Sequence, residues 1–86
     1  MMVFKPQLKV HRVESDGTRT RMTIPPKIES DDPSFAAVEA WLRELERVKK
    51  PASRYEKRNG LSIEVMLTLR RAVYCIEGTL RSERVA

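Results

Sequence analysis

The chain reads as an α+β domain, an N-terminal β-hairpin followed by two α-helices (ββαα). Three observations predict this. Residues 3–24 alternate apolar and polar side chains about an Asp-Gly pair. Phe35, Val38, Trp41, Leu42, Leu45 and Val48 recur at helical spacing. Val65, Met66, Leu69, Val73, Ile76 and Leu80 do the same within 61–81, the most apolar stretch of the chain.

The hairpin comes first. Pro6 discourages helix, and Leu8, Val10 and Arg12 alternate with Lys9, His11 and Val13. Glu14-Ser15-Asp16-Gly17 is a turn, since Asp-Gly tolerates the positive φ of tight hairpins. Thr18 to Ile24 is β-branched and alternating, so a hairpin pairs 4–13 with 18–24 and occupies 4–24. Arg19, Arg21 and Thr23 share one face of its second strand, with Met22 and Ile24 anchored to the core from the other. Pro25-Pro26 ends the strand, because proline has no N–H for the ladder.

Lys27 to Asp32 is a polar connection. Asp32 is an N-cap and Pro33 the first helical residue of a helix over 33–50, which stops before Pro51. The connector 51–60 is basic, with one aromatic, Tyr55, and an Asn59-Gly60 turn signal. Ser62 caps a second helix over 61–82, weakened near its end by Gly78. That helix is apolar on most of its circumference, because Leu67, Tyr74 and Cys75 widen its stripe. One hairpin and one helix cannot cover it, so Val65, Leu69, Val73 and Ile76 are expected at a homodimer interface.

The chain has 86 residues, enough for one domain, 1–86. A chain this short buries only about 60% of its unfolded surface, and dimerisation is a common remedy. Lys and Arg number 17 against 12 Asp and Glu, a net +5 that favours polyanionic partners. The only cysteine, Cys75, sits among apolar residues and reads as a small buried hydrophobe. No leader-like apolar run follows Met1, and Glu64, Thr68, Arg70 and Arg71 interrupt the later ones. A cytoplasmic protein without a membrane span is expected.

No enzyme constellation is present. The sole histidine, His11, lies beside Lys9 and Arg12. One His and one Cys make a poor metal set, Asp31-Asp32 reads as helix capping, and the three glycines are isolated. The expectation is a non-enzyme without cofactor or metal.

Thr18 to Ile28 (TRTRMTIPPKI), a following helix, and Asn59-Gly60-Leu61-Ser62 opening a second helix resemble the ribbon-helix-helix family of DNA-binding proteins. The resemblance covers about half the chain. It implies a dimer whose paired strands enter the major groove, with Arg19, Arg21 and Thr23 facing bases. It also implies a phosphate held by the backbone N–H groups of Leu61, Ser62 and Ile63 at the second helix's N-terminus. Beside it stands a second basic feature: Lys49, Lys50, Arg54, Lys57 and Arg58 around Tyr55, a pattern that tracks phosphates and stacks a base. The sequence thus points to a small dimeric DNA-binding protein, a transcriptional regulator of phage or plasmid type, with RNA as the other nucleic acid to test. The alternative is an inhibitor or adaptor that occupies the surface of an acidic protein partner.

Overall fold

Extended structure, rather than helical spacing, governs the C-terminal third, with strict alternation of side chains over 62–68. The computed structural model describes residues 2–31 and 34–84. They form β1 (Met2–Val13), β2 (Arg19–Met22), α1 (Pro26–Asp31), α2 (Phe35–Glu46), β3 (Ser53–Asn59), β4 (Ser62–Thr68) and β5 (Val73–Arg84). The five strands make one antiparallel sheet in the order β2-β1-β5-β4-β3. The fold is mostly β, which corrects the ββαα expectation.

The helix expected over 61–82 is a hairpin, β4 and β5. Ile63, Val65 and Leu67 are buried while Ser62, Glu64, Met66 and Thr68 between them are not, which is the period of a half-buried strand. Arg70 and Arg71 fall in the turn, closed by a hydrogen bond from the Leu69 N–H to the Ala72 carbonyl (3.0 Å). The connector is also a strand. All seven residues of β3 are exposed, so no apolar pattern marks it, and it exists through its ladder with β4. Asn59 opposes Ser62 across Gly60, whose φ of 62° is the left-handed conformation that glycine accepts. The Asn-Gly signal marks a turn between strands instead of a helix start.

At the N-terminus the turn forms as its residues dictate. Gly17 takes φ 89°, and the Asp16 carboxylate accepts from the Thr18 N–H (3.0 Å) and hydroxyl (2.7 Å). β2 pairs with β1 only over Arg19–Met22, while β1 runs its full length against β5, from Met2↔Arg84 to Val13↔Val73. That long non-local ladder is the spine of the sheet.

The polar connection after Pro25 contains α1. In α2 the cap is Ser34, whose Oγ accepts from the Ala37 N–H (3.2 Å); the caps expected at Asp32 and Pro33 lie outside the described residues. The helix ends at Glu46, four residues early, in a paired motif: the Arg47 N–H reaches the Glu44 carbonyl and the Val48 N–H the Arg43 carbonyl.

Partners opposite one another in a ladder share a face. Met22, Val10, Ile76, Val65 and Glu56 form one row across the sheet, and Thr20, Arg12, Tyr74, Leu67 and Arg54 the next. α2 covers this face: Val38 and Leu42 are fully buried in one cluster with Val10, Val65, Leu67 and Ile76. Burying each such side chain contributes roughly 1.5–3 kcal/mol. Gly78 lies beneath Phe35, where an added Cβ would stand 2.5 Å from the ring. Val65, Leu69 and Ile76, expected at a dimer interface, therefore belong to the chain's own core, and Val73 is half-buried on the opposite face. They are not available to a second copy in the way expected, because a sheet with one helix layer covers them. Among the described residues no helix is long and apolar enough to cross a membrane.

Candidate nucleic-acid interface

The face of the sheet turned away from α2 carries no layer among the described residues. One row across it reads Arg21, His11, Cys75, Met66, Tyr55. A second reads Lys9, Glu77, Glu64, Lys57, and a third Arg19, Val13, Val73, Thr68, Ser53. Cations stand on the outer strands and, as Lys9, on β1, with carboxylates and apolar groups in the middle. Tyr55 is 65% exposed at the β3 edge, with Lys57 beside it on the same face.

The centre of this face is a tight network. The Arg19 guanidinium donates to Glu77 Oε1 (3.2 Å) and lies 3.6 Å from the Cys75 sulfur, while the thiol faces Glu77 Oε1 at 3.8 Å. Cys75 is fully buried beneath these groups. Burial first, then the nearby Glu64 carboxylate, pushes its thiol up to about 11, so it stays protonated near neutral pH. Glu64, Cys75 and Glu77 bring three potential metal-ligand atoms within 4.8 Å of one another, a grouping that sequence spacing did not reveal. The protonated thiol and the engaged Arg19 make it a hydrogen-bonded network rather than a prepared thiolate site.

The arginines of the former connector separate. Arg54 and Arg58 lie on the helix side. Arg54 clasps Glu39 of α2 with two bonds (2.6 and 3.2 Å), and Glu56 accepts from both Arg54 (3.2 Å) and Arg58 (3.0 Å). Those arginines hold the Glu56 carboxyl below its ordinary range. Arg19, Arg54 and Arg58 are thus occupied, while Arg21, Lys9 and Lys57 meet no carboxylate among the described residues. Thr23 lies just beyond β2. Ser62 opens β4 at the far end of the sheet, and no helix N-terminus exists there, so the phosphate role expected for Leu61, Ser62 and Ile63 has no helix dipole behind it.

Lys49 and Lys50 have different neighbours from those expected. The segment after α2 meets the β4–β5 turn: Glu46 Oε1 accepts from the Arg71 N–H (2.5 Å), and the Ala52 N–H donates to the Thr68 carbonyl (2.8 Å). Arg43 ties the segment to its helix by donating to the Lys49 carbonyl (2.9 Å). Arg47, Lys49, Lys50, Arg70 and Arg71 are thereby gathered, all exposed, at one end of the molecule. None of these five side chains pairs with a carboxylate among the described residues. Arg47 holds φ 54°, a conformation rare for a non-glycine residue. Sequence reasoning missed Arg47, Arg70 and Arg71. The signal was present, since two charged residues between two alternating apolar runs form a turn.

Beside this basic end opens a cleft of about 460 Å³, with Arg12, Glu14, Glu46, Arg71 and Tyr74 on its walls. Tyr74 is pushed up to about 12, mainly by burial and next by the Glu46 carboxylate. Comparison with known proteins finds no matching family model, no matching curated protein and no matching solved structure.

Proposed function

We propose that the chain is a small nucleic-acid-binding protein that takes a single strand, DNA first, across its basic end and onto the open sheet face. The observation that supports this best is the gathering of Arg47, Lys49, Lys50, Arg70 and Arg71, from two distant stretches, with no side-chain ion pair among the described residues and one carboxylate, Glu46, among them. Five cations against one carboxylate leave a positive surplus at this end that attracts phosphates, and each phosphate contact releases counterions.

The geometry favours a single strand over the groove-reading ribbon expected at first. Five strands about 4.8 Å apart span roughly 19 Å, whereas the major groove is only about 12 Å wide. Such a face suits a strand laid across it. Tyr55 then offers a stacking surface, with Lys57 and Arg21 for the backbone. Arg19 is held by Glu77 and acts as part of the platform.

The test is fluorescence anisotropy with a labelled DNA of about 20 nucleotides, as a single strand, as a duplex, and as RNA of the same sequence. With three to five phosphates contacted, log K should fall against log salt with a slope of about −2 to −3.5. Arg70→Ala with Arg71→Ala should flatten the slope, and Tyr55→Ala should weaken the complex by about 1–3 kcal/mol. No binding to any of the three at low salt refutes the proposal. Tighter binding to the duplex refutes the sheet-face part of it.

A further inference from the structure

We infer that β3 is the dimerisation edge, where a second copy of this chain pairs antiparallel, Tyr55 against Tyr55, to continue the sheet. β3 is a terminal strand of the sheet, paired on one side only among the described residues, and its seven residues are all exposed. An unpaired row of N–H and C=O groups is a template for another strand, and charges on it decide which strand is accepted. The charges here are self-complementary in one register.

Two-fold pairing about Tyr55 sets Arg54 of each copy opposite Glu56 of the other, twice, on the helix side, with the two tyrosines opposed on the open side. Neighbouring registers fail. Pairing about Glu56 opposes the two Glu56 carboxylates and sets Arg54 against Arg58. Pairing about Lys57 joins Glu56 to Arg58 but opposes the two lysines. Like charges directly opposite are destabilising, and opposite charges or aromatic pairs are favourable. Arg54 already uses Nε and Nη2 on Glu39 and Glu56, and each Glu56 oxygen accepts once, so Arg54 Nη1 and the second lone pair of each Glu56 oxygen are the positions that serve the second copy. The dimer buries little area and is weak by that measure. It does not rest on nucleic-acid binding, although it would join two open faces into one.

Two experiments test it on the full chain. Tyr55→Cys places thiols opposite each other, with Cβ atoms about 4.5–5.5 Å apart. Mild oxidation at about 100 µM, a concentration suited to a weak dimer, should yield a covalent dimer. The native chain should not, because Cys75 is buried. Lys57→Cys should cross-link several-fold less. The second test uses charge. Arg54→Glu alone and Glu56→Arg alone each oppose like charges and should sediment as monomers of about 10 kDa, whereas their equimolar mixture restores both pairs and should form a dimer. No cross-link at Tyr55→Cys, equal cross-linking at Lys57→Cys, or self-association of either charge variant as strong as that of the mixture would overturn the inference. The cysteine experiment stands even if loss of the Arg54–Glu39 pair unfolds Arg54→Glu, since Tyr55 is exposed.

Discussion

Replacing Arg47 by glycine separates what this residue does for the fold from what it does for a ligand. Its φ of 54° places it in the left-handed region at the end of α2. There an L-residue costs roughly 1–2 kcal/mol relative to glycine. Glycine returns part of that, roughly 0.5–1 kcal/mol, because it loses more freedom on folding. The hydrogen bonds that close the helix run from backbone N–H groups at 47 and 48, so glycine preserves them, and the exposed Arg47 side chain joins no ion pair among the described residues. Arg47→Gly should therefore stabilise the protein by about 0.5–1 kcal/mol, raising Tm by about 2–8 °C for a domain of this size. In the nucleic-acid assay it should weaken binding and reduce the salt slope by about 0.7, one phosphate contact on a single strand. Arg47→Lys keeps both strain and charge and should change neither. Thermal unfolding followed by circular dichroism, beside salt-dependent anisotropy, measures both. A lower Tm in Arg47→Gly would refute the strain argument, and an unchanged slope would remove Arg47 from the interface.

Gly78→Ala should destabilise by about 1–3 kcal/mol in urea titration, because its Cβ would meet Phe35 at 2.5 Å and Leu8 at 2.8 Å in a packed core. Arg54→Ala leaves the Glu39 carboxylate, only 12% exposed, without its guanidinium. Since Arg54 is 40% exposed the loss should be held to about 1–2 kcal/mol, and Arg54→Met with Glu39→Met should lose less than Arg54→Ala alone. Cys75 is raised in the folded state to about 11 and Tyr74 to about 12, so at both groups the unfolded chain ionises first; stability should fall as pH rises from about 9 to 12, first through Cys75 and then through Tyr74, read by chemical denaturation in Tyr55→Phe. At the acid end Glu14, held low by Arg12 and Thr20, and Glu56, held low by Arg58 and Arg54, give the opposite sign: their stabilisation is present above the ordinary carboxylate range and is lost as pH falls through their lowered values.

Local chemistry alone determined two parts of this protein. Asp16-Gly17 fixed a tight turn, because glycine accepts a positive φ and the Asp16 carboxylate can satisfy the Thr18 N–H. The spacing of Val38 and Leu42 fixed an amphipathic helix, since both periodicity and capping act within a few residues. The segment 61–82 shows where such reasoning stops. Val65, Leu69, Val73 and Ile76 recur at helical intervals, while Ile63, Val65 and Leu67 alternate. Over a run this short both periods fit, and apolar breadth that suggested an all-round buried helix came from two adjacent strands. The ladders decided between them, above all β1 against β5, which joins residues sixty or more positions apart. β3 was the least legible element. Its exposed residues carry no hydrophobic pattern, and only pairing with β4 makes Ser53–Asn59 extended. The same tertiary pairing split the basic connector. It turned Arg54 and Arg58 to the helix side and left Tyr55 and Lys57 on the open face. It also brought Lys49 and Lys50 to Arg70 and Arg71, a cluster that no local window contains, because distant charges become neighbours only when the backbone between them is fixed by long-range hydrogen bonds.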